Sequence, residues 1–194
     1  MRFYAMIKVS MPLLILSLVA SACKKWDWRF EVDGNDLRAA RIAARGSANG
    51  SAVNTMLSVV CRPGPEGTVS INYTVYDTDN AGGFNFDAFE GPDAPASLKK
   101  LMDIYVESAS GRIDTKMAVS GSYIENKAFT FSMSAMNTGR SGARSIAEAL
   151  ANGAKAVRIT VHDMHDQSIR IRTDFPALNA RAVIEKTIKG CCGE

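Results

Sequence analysis

Recognised catalytic signatures are missing from this chain of 194 residues, and each absence removes a class of function. No C-x-x-C occurs, so thioredoxin-like exchange has no motif. No G-x-S-x-G elbow is present for an acyl-transfer serine. Gly139 to Gly142 has neither the G-x-G-x-x-G spacing nor a following Lys-Ser/Thr, so phosphate-cradling loops are missing too. Only two histidines occur, His162 and His165. Internal repeats and low-complexity runs are absent. Charge of one sign is also lacking, with 23 Lys and Arg against 20 Asp and Glu. A balance so near neutral does not carry the broad positive footprint of a nucleic-acid binder.

What the sequence does carry is an N-terminal address. Arg2 and Lys8 precede an apolar run, Val9 to Ala20, which includes Leu13, Leu14, Ile15, Leu16, Leu18 and Val19. At about a dozen residues this run is too short for the ~20 of a spanning helix, so residues 1–22 read as a processed export signal and residues 23–194 as one β-rich envelope domain. Loss of Arg2 and Lys8 leaves 21 basic residues against 20 acidic ones, a net charge of about +1. Two readings of the junction stay open. Val19-Ala20-Ser21-Ala22-Cys23 resembles the lipobox of bacterial lipoproteins, with Ala20 where leucine is usual. That resemblance implies lipidation of Cys23 and, with Lys24 rather than Asp next, sorting to the outer membrane. Cleavage at the A-x-A site Ala20-Ser21-Ala22 instead implies a plain N-terminal thiol on a periplasmic or secreted protein.

The cysteines fit an oxidising compartment, where thiols tend to pair. There are four: Cys23, Cys61, Cys191 and Cys192. If Cys23 is lipidated, one bridge and one odd thiol remain; if not, two bridges can form. The most useful bond joins Cys61 to Cys191 or Cys192, closing a loop of about 130 residues worth roughly 4–5 kcal/mol in the chain-entropy model. A ring between the adjacent Cys191 and Cys192 is the alternative, and it would suggest redox or metal chemistry.

Alternation dominates the domain. Trp26 to Val32 is apolar and charged in turn, a strand with one buried face, and its regularity assigns Trp26 and Trp28 to packing before ligand binding. Asp33 to Asp36 is a turn, and Leu37 to Arg45 fits a strand or a helix, with the strand preferred. Gly46 to Ser51 reads as a loop, Met56 to Cys61 as a buried strand, Pro63 to Gly67 as a turn, and Val69, Ile71, Tyr73 and Val75 as the next strand. The spacing of Leu98, Leu101, Met102 and Tyr105 predicts a short helix over 96–105. Strands near Thr115 to Ile124 and Ala128 to Ser134 follow. Ser141 caps a helix through Ile146, Ala147, Leu150 and Ala151 that Gly153 stops. Val157, Ile159 and Val161 pair with Ile169 and Ile171, and Pro176 opens a last helix through Ile188. The fold class is therefore α+β: a mainly antiparallel β-sheet or sandwich of about seven to nine strands, with two or three helices including a C-terminal one.

Candidate chemistry is sparse. Asp77, Asp79 and Gly82 match the start of a calcium loop, but Ala81 and Ala88 stand where ligands should. Ser97-Leu98-Lys99-Lys100 is an S-x-x-K without its S-D-N and K-T-G companions. His162 and His165, interleaved with Asp163 and Asp166, are the weak candidates for a transition metal, against the simpler reading of a solvated turn. Arg158, Arg170, Arg172 and Arg181 offer an anion-binding patch or, with the acids near them, an ordinary mixed-charge face. No cofactor is implied.

An export signal, Trp26 and Trp28, a strand ending in Cys61, and a closing order of two strands, Phe175-Pro176-Ala177-Leu178, helix and Cys191 together resemble small envelope proteins of the VasI and invasion-associated locus B kind. In place of that kind's Leu-Lys-Gly, this chain has Leu178-Asn179-Ala180. The resemblance implies an accessory, non-catalytic envelope role and carries over no functional site. The expectation is a non-enzymatic envelope lipoprotein or periplasmic protein whose partner is an envelope protein or component. The alternatives are a secreted inhibitor or immunity-type protein, and a hydrolase with dispersed catalytic residues.

Overall fold

Period-2 alternation builds most of the described chain into strands. The computed structural model describes residues 27–33, 36–64, 67–109, 111–124, 127–133 and 140–191; the leader, Cys23, Trp26 and Cys192 lie outside them. In order the elements are β1 (Arg29–Val32), β2 (Arg38–Ala48), β3 (Ser51–Arg62), β4 (Thr68–Tyr76), β5 (Met102–Ser108), β6 (Gly111–Met117), β7 (Ser120–Ile124), β8 (Ala128–Met133), α1 (Arg140–Ala151), β9 (Ala154–His162), β10 (Arg170–Pro176) and α2 (Ala180–Ile188). All strand pairs are antiparallel, in the order β6-β5-β9-β10-β2-β3-β4-β8-β7, with β1 added to β2.

That order has a geometric consequence. β6 and β7 sit at opposite ends of the sheet, yet only Ala118 and the fully buried Val119 separate them in the chain. Three trans peptide steps of ~3.8 Å span at most about 11 Å. The two edges therefore approach each other at this joint, and the sheet is rolled. A second adjustment lies on β2, whose one edge is shared end to end by β10 and β1. The Trp28 indole N–H donates to the Pro176 carbonyl at 3.1 Å and staples the two together. Gly46 lets β10 pass there, because a Cβ at this position would lie 2.2 Å from Thr173 Oγ1 and 2.9 Å from the Arg172 carbonyl.

Rolling encloses the apolar face. Ile42, Leu57, Val59, Ile71, Ile104, Val106, Ile159, Val161, Ile171 and Phe175 all point inward and are buried. Phe84, Phe86 and Phe89 pack on Phe129 and Phe131 with ring centroids 5.2–6.1 Å apart. α1 covers β4, β5 and β9, strands from both wings of the sheet, while α2 covers β1, β2 and β3 and touches α1. The disulfide Cys61–Cys191, with Cα atoms 5.8 Å apart, ties the end of β3 to the residues after α2. Inside the roll runs a polar thread. Tyr73 OH lies 2.8 Å from Thr173 Oγ1, which lies 3.2 Å from Thr55 Oγ1, which donates to the Ala44 carbonyl at 3.0 Å. Thr55 Oγ1 is the donor toward both Thr173 and the Ala44 carbonyl, and either partner can donate between Tyr73 and Thr173, so the three hydroxyls form one connected buried network.

The antiparallel sheet and the C-terminal helix agree with the sequence reading, and four details differ. Residues 96–105 are not a helix: a 3-10 turn at Pro95–Leu98 leads into β5. Met102, Ile104 and Val106 alternate inward, whereas Leu98, needed for the helical stripe, is 89% exposed. The 46–51 loop shrinks to a two-residue Asn49-Gly50 turn, both at positive φ (46° and 89°), which is hairpin geometry that lets β2 and β3 run on. Thr115 to Met117 belongs to β6, and the strand starting at Ser120 is separate. Pro176 closes β10 rather than opening α2, which starts at Ala180.

Two outcomes follow from this packing. Replacing both Cys61 and Cys191 by Ala should lower the unfolding free energy by about 4–5 kcal/mol, read from urea midpoints; a loss below about 1 kcal/mol would mean that α2 holds the tail by packing alone. Burial pushes the Tyr73 phenol well above its ordinary value, with the Thr173 and Thr55 hydroxyls drawing it partway back. Unfolded tyrosine ionises near pH 10 while Tyr73 in the fold does not, so its contribution is complete below about pH 10 and is lost as pH rises further. Tyr73→Phe should flatten that alkaline decline and cost about 0.5–1.5 kcal/mol at pH 7; equal slopes in urea unfolding at pH 9 to 11 would contradict it.

Candidate functional site

Because the inner face is filled with side chains, the polar chemistry sits on the outer face and at the turns. The register places it. Arg170 stands opposite His162, and Arg172 opposite Thr160, which faces Asp103, which in turn faces Lys116. On the other side Arg172 faces Ser47 of β2. One patch across β6, β5, β9, β10 and β2 thus brings together His162, Arg170, Arg172, Asp103 and Lys116.

His162 and His165 are treated differently by the fold. His162 Nε2 lies 3.0 Å from Asp103 Oδ2, and its Nδ1 lies 3.2 Å from the Gln167 carbonyl. Lys116 Nζ sits 3.6 Å from Asp103 Oδ1 on the far side. Both ring nitrogens of His162 therefore face protein oxygens, and neither is presented to a metal or to a serine hydroxyl. His165 is exposed on the turn. Among the described residues no group of three or more His, Cys, Asp or Glu is arranged to hold a metal ion. Sequence reasoning missed Asp103 and Lys116 as partners of this site, 59 and 46 positions from His162, because β5 was read as part of a helix and β6 only from Thr115 onward, so their pairing was not foreseen.

Asp163 has a structural task. It is 2% exposed, and its carboxylate accepts backbone N–H groups from His165 at 2.8 Å, Asp166 at 3.1 Å and Asn85 at 2.8 Å. One side chain thereby shapes the β9–β10 turn and fastens it to the Phe84–Phe86 segment. Asp166 accepts the Ser168 hydroxyl at 2.6 Å and the Ser168 N–H at 2.9 Å, and these donors hold its carboxyl below the ordinary range. Ser97, of the S-x-x-K, donates its hydroxyl to carbonyls of its own loop, Pro92 and Ala94, each at 2.7 Å.

The four arginines divide. Arg158 Nε meets Asp174 Oδ1 at 2.6 Å, Arg172 Nη2 is 3.6 Å from Asp174 Oδ2, and Arg181 pairs with Glu185 at 2.8 Å on α2. For these three the mixed-charge reading holds. Arg170 has no carboxylate partner among the described residues. It opens, with Arg172, into a surface cleft of about 260 Å³ that is also lined by Ser47, Asn49, Gly50 and Ser168. No family model matches the chain, and neither a curated protein nor a solved structure does.

The contrast between Asp163 and His162 is measurable. Asp163→Ala, which strands three N–H donors, should destabilise the protein by about 3 kcal/mol or more. His162→Ala, at a partly solvated pair, should cost about 1 kcal/mol or less. Urea unfolding of both variants checks the order, and a reversal would move the structural role to His162.

Proposed function

We propose that this chain is an exported, non-catalytic binding module of the bacterial cell envelope, anchored through lipid on Cys23, that contacts an envelope protein or component with the outer face of its rolled sheet. The Cys61–Cys191 disulfide carries the reading. Bridges of this kind persist in oxidising compartments, and here one accompanies a leader of export type. The side chains in the strongest catalytic candidates serve other ends: Ser97 bonds its own loop, Asp163 shapes a turn, and both His162 nitrogens are occupied. Among the described residues no helix is long and apolar enough to cross a membrane, so anchorage in this proposal falls to the lipid. The large exposed apolar side chains, Val32, Leu98, Tyr123, Ile124 and Leu178, are spread over four separate segments, which favours the outer polar face over an apolar inhibitory loop as the contact surface.

Intact mass spectrometry of membrane and soluble fractions, with and without reductant, tests this directly. The expected species lacks residues 1–22, carries acyl mass, and gains two hydrogens per bridge on reduction. A full-length, unacylated and fully reduced chain in the cytosolic fraction would overturn it.

A further inference from the structure

We propose that the cleft between the Asn49-Gly50 turn and the start of β10 is a binding site for a tetrahedral oxyanion of the phosphate-ester class. Arg170 and Arg172 are two residues apart on one strand, so both guanidinium groups leave the same outer face, with Cα atoms roughly 6–7 Å apart. The register sets Ser47 across from Arg172 and His162 across from Arg170, and the tight turn at Asn49 and Gly50 raises a polar wall beside them. The Asn49 N–H donates to the Arg170 carbonyl at 3.3 Å, which fixes that wall to the strand bearing the arginines.

Charge in the cleft is only partly answered by the protein. Asp174 is shared between Arg158 at 2.6 Å and Arg172 at 3.6 Å, so Arg172 holds the weaker half of that carboxylate. Arg170 holds none among the described residues. Asp166, beside the cleft, is turned onto Ser168, and Asp103 onto His162. The volume of about 260 Å³ is several times the ~30 Å³ share of one water, enough for a phosphate group with part of the molecule that bears it. Stoichiometry selects the anion. One guanidinium fork saturates the two oxygens of a carboxylate, whereas two forks plus the Ser47 hydroxyl match the three terminal oxygens of a phosphate monoester. The site does not depend on where the protein is delivered, so it can fail while the envelope reading stands, and the reverse.

The test is calorimetric titration of the oxidised, leaderless protein at constant ionic strength with three probes: inorganic phosphate, acetate, and phosphatidylcholine vesicles with and without phosphatidic acid. Phosphate should bind saturably and acetate at least tenfold more weakly. Arg170→Ala and Arg172→Lys should each weaken phosphate about tenfold or more, the second because it keeps the charge and loses the fork. Arg181→Ala, on α2 and paired with Glu185 away from the cleft, should leave the affinity unchanged. Binding of phosphatidic-acid vesicles in addition would assign the ester to a lipid headgroup, and binding of free phosphate alone to a soluble ester. Equal affinity for acetate, or an equal loss in Arg181→Ala, would overturn the proposal.

Discussion

The two-residue joint of Ala118 and Val119 governs the rest of the structure. It makes the opposite edges of the strand order consecutive in the chain, and a twisted antiparallel sheet can meet that demand only by rolling. Once rolled, the sheet has an inside that must be filled and a gap that must be covered. The Phe84, Phe86 and Phe89 cluster and the two helices answer the first need. The Cys61–Cys191 bridge then limits how far the tail can leave the body in the unfolded ensemble. Gly46 and the Trp28 bond to Pro176 serve the same geometry at β2, where two strands share one edge.

Alternation divides the labour between faces. Among the described residues, inward positions hold apolar side chains and one buried network of hydroxyls. Outward positions on β5, β6, β9 and β10 carry Asp103, Lys116, His162, Arg158, Arg170, Arg172 and Asp174, most of them in pairs. Such pairs near water contribute little stability each. Their effect is to set which charges remain unanswered, and the balance falls positive at Arg170. A surface of this sort suits recognition by contact, with rigidity supplied from the core behind it.

Elements whose local pattern has one meaning were legible in the residues. β3 carries the apolar run Met56 to Cys61 and β4 alternates through Val69, Ile71, Tyr73 and Val75 after a Pro-Gly turn, and α1 repeats Ile146, Ala147, Leu150 and Ala151 before Gly153. Trp28 was assigned to packing and is buried. β5 was missed because Leu98, Leu101, Met102 and Tyr105 satisfy helical spacing while Met102, Ile104 and Val106 satisfy strand spacing. Pairing on both sides, with β6 and β9, decided between them. The missed strand removed Asp103 from view and with it the partner of His162. The Arg170 cleft was half visible: its arginines stood out, but its other wall, Ser47 to Gly50, lies 120 positions earlier and looked like a loop.

The sequence alone determined the strand-rich class, the two helices, the availability of Cys61 and a C-terminal cysteine for bonding, and the absence of familiar catalytic motifs. These follow from local periodicity and composition, which act over a few residues. Which cysteine closes the bridge, which arginine stays unpaired, and which residue faces His162 were decided only by the tertiary structure. Those outcomes depend on strand order and register, and the two-residue joint sets the curvature within which they arise.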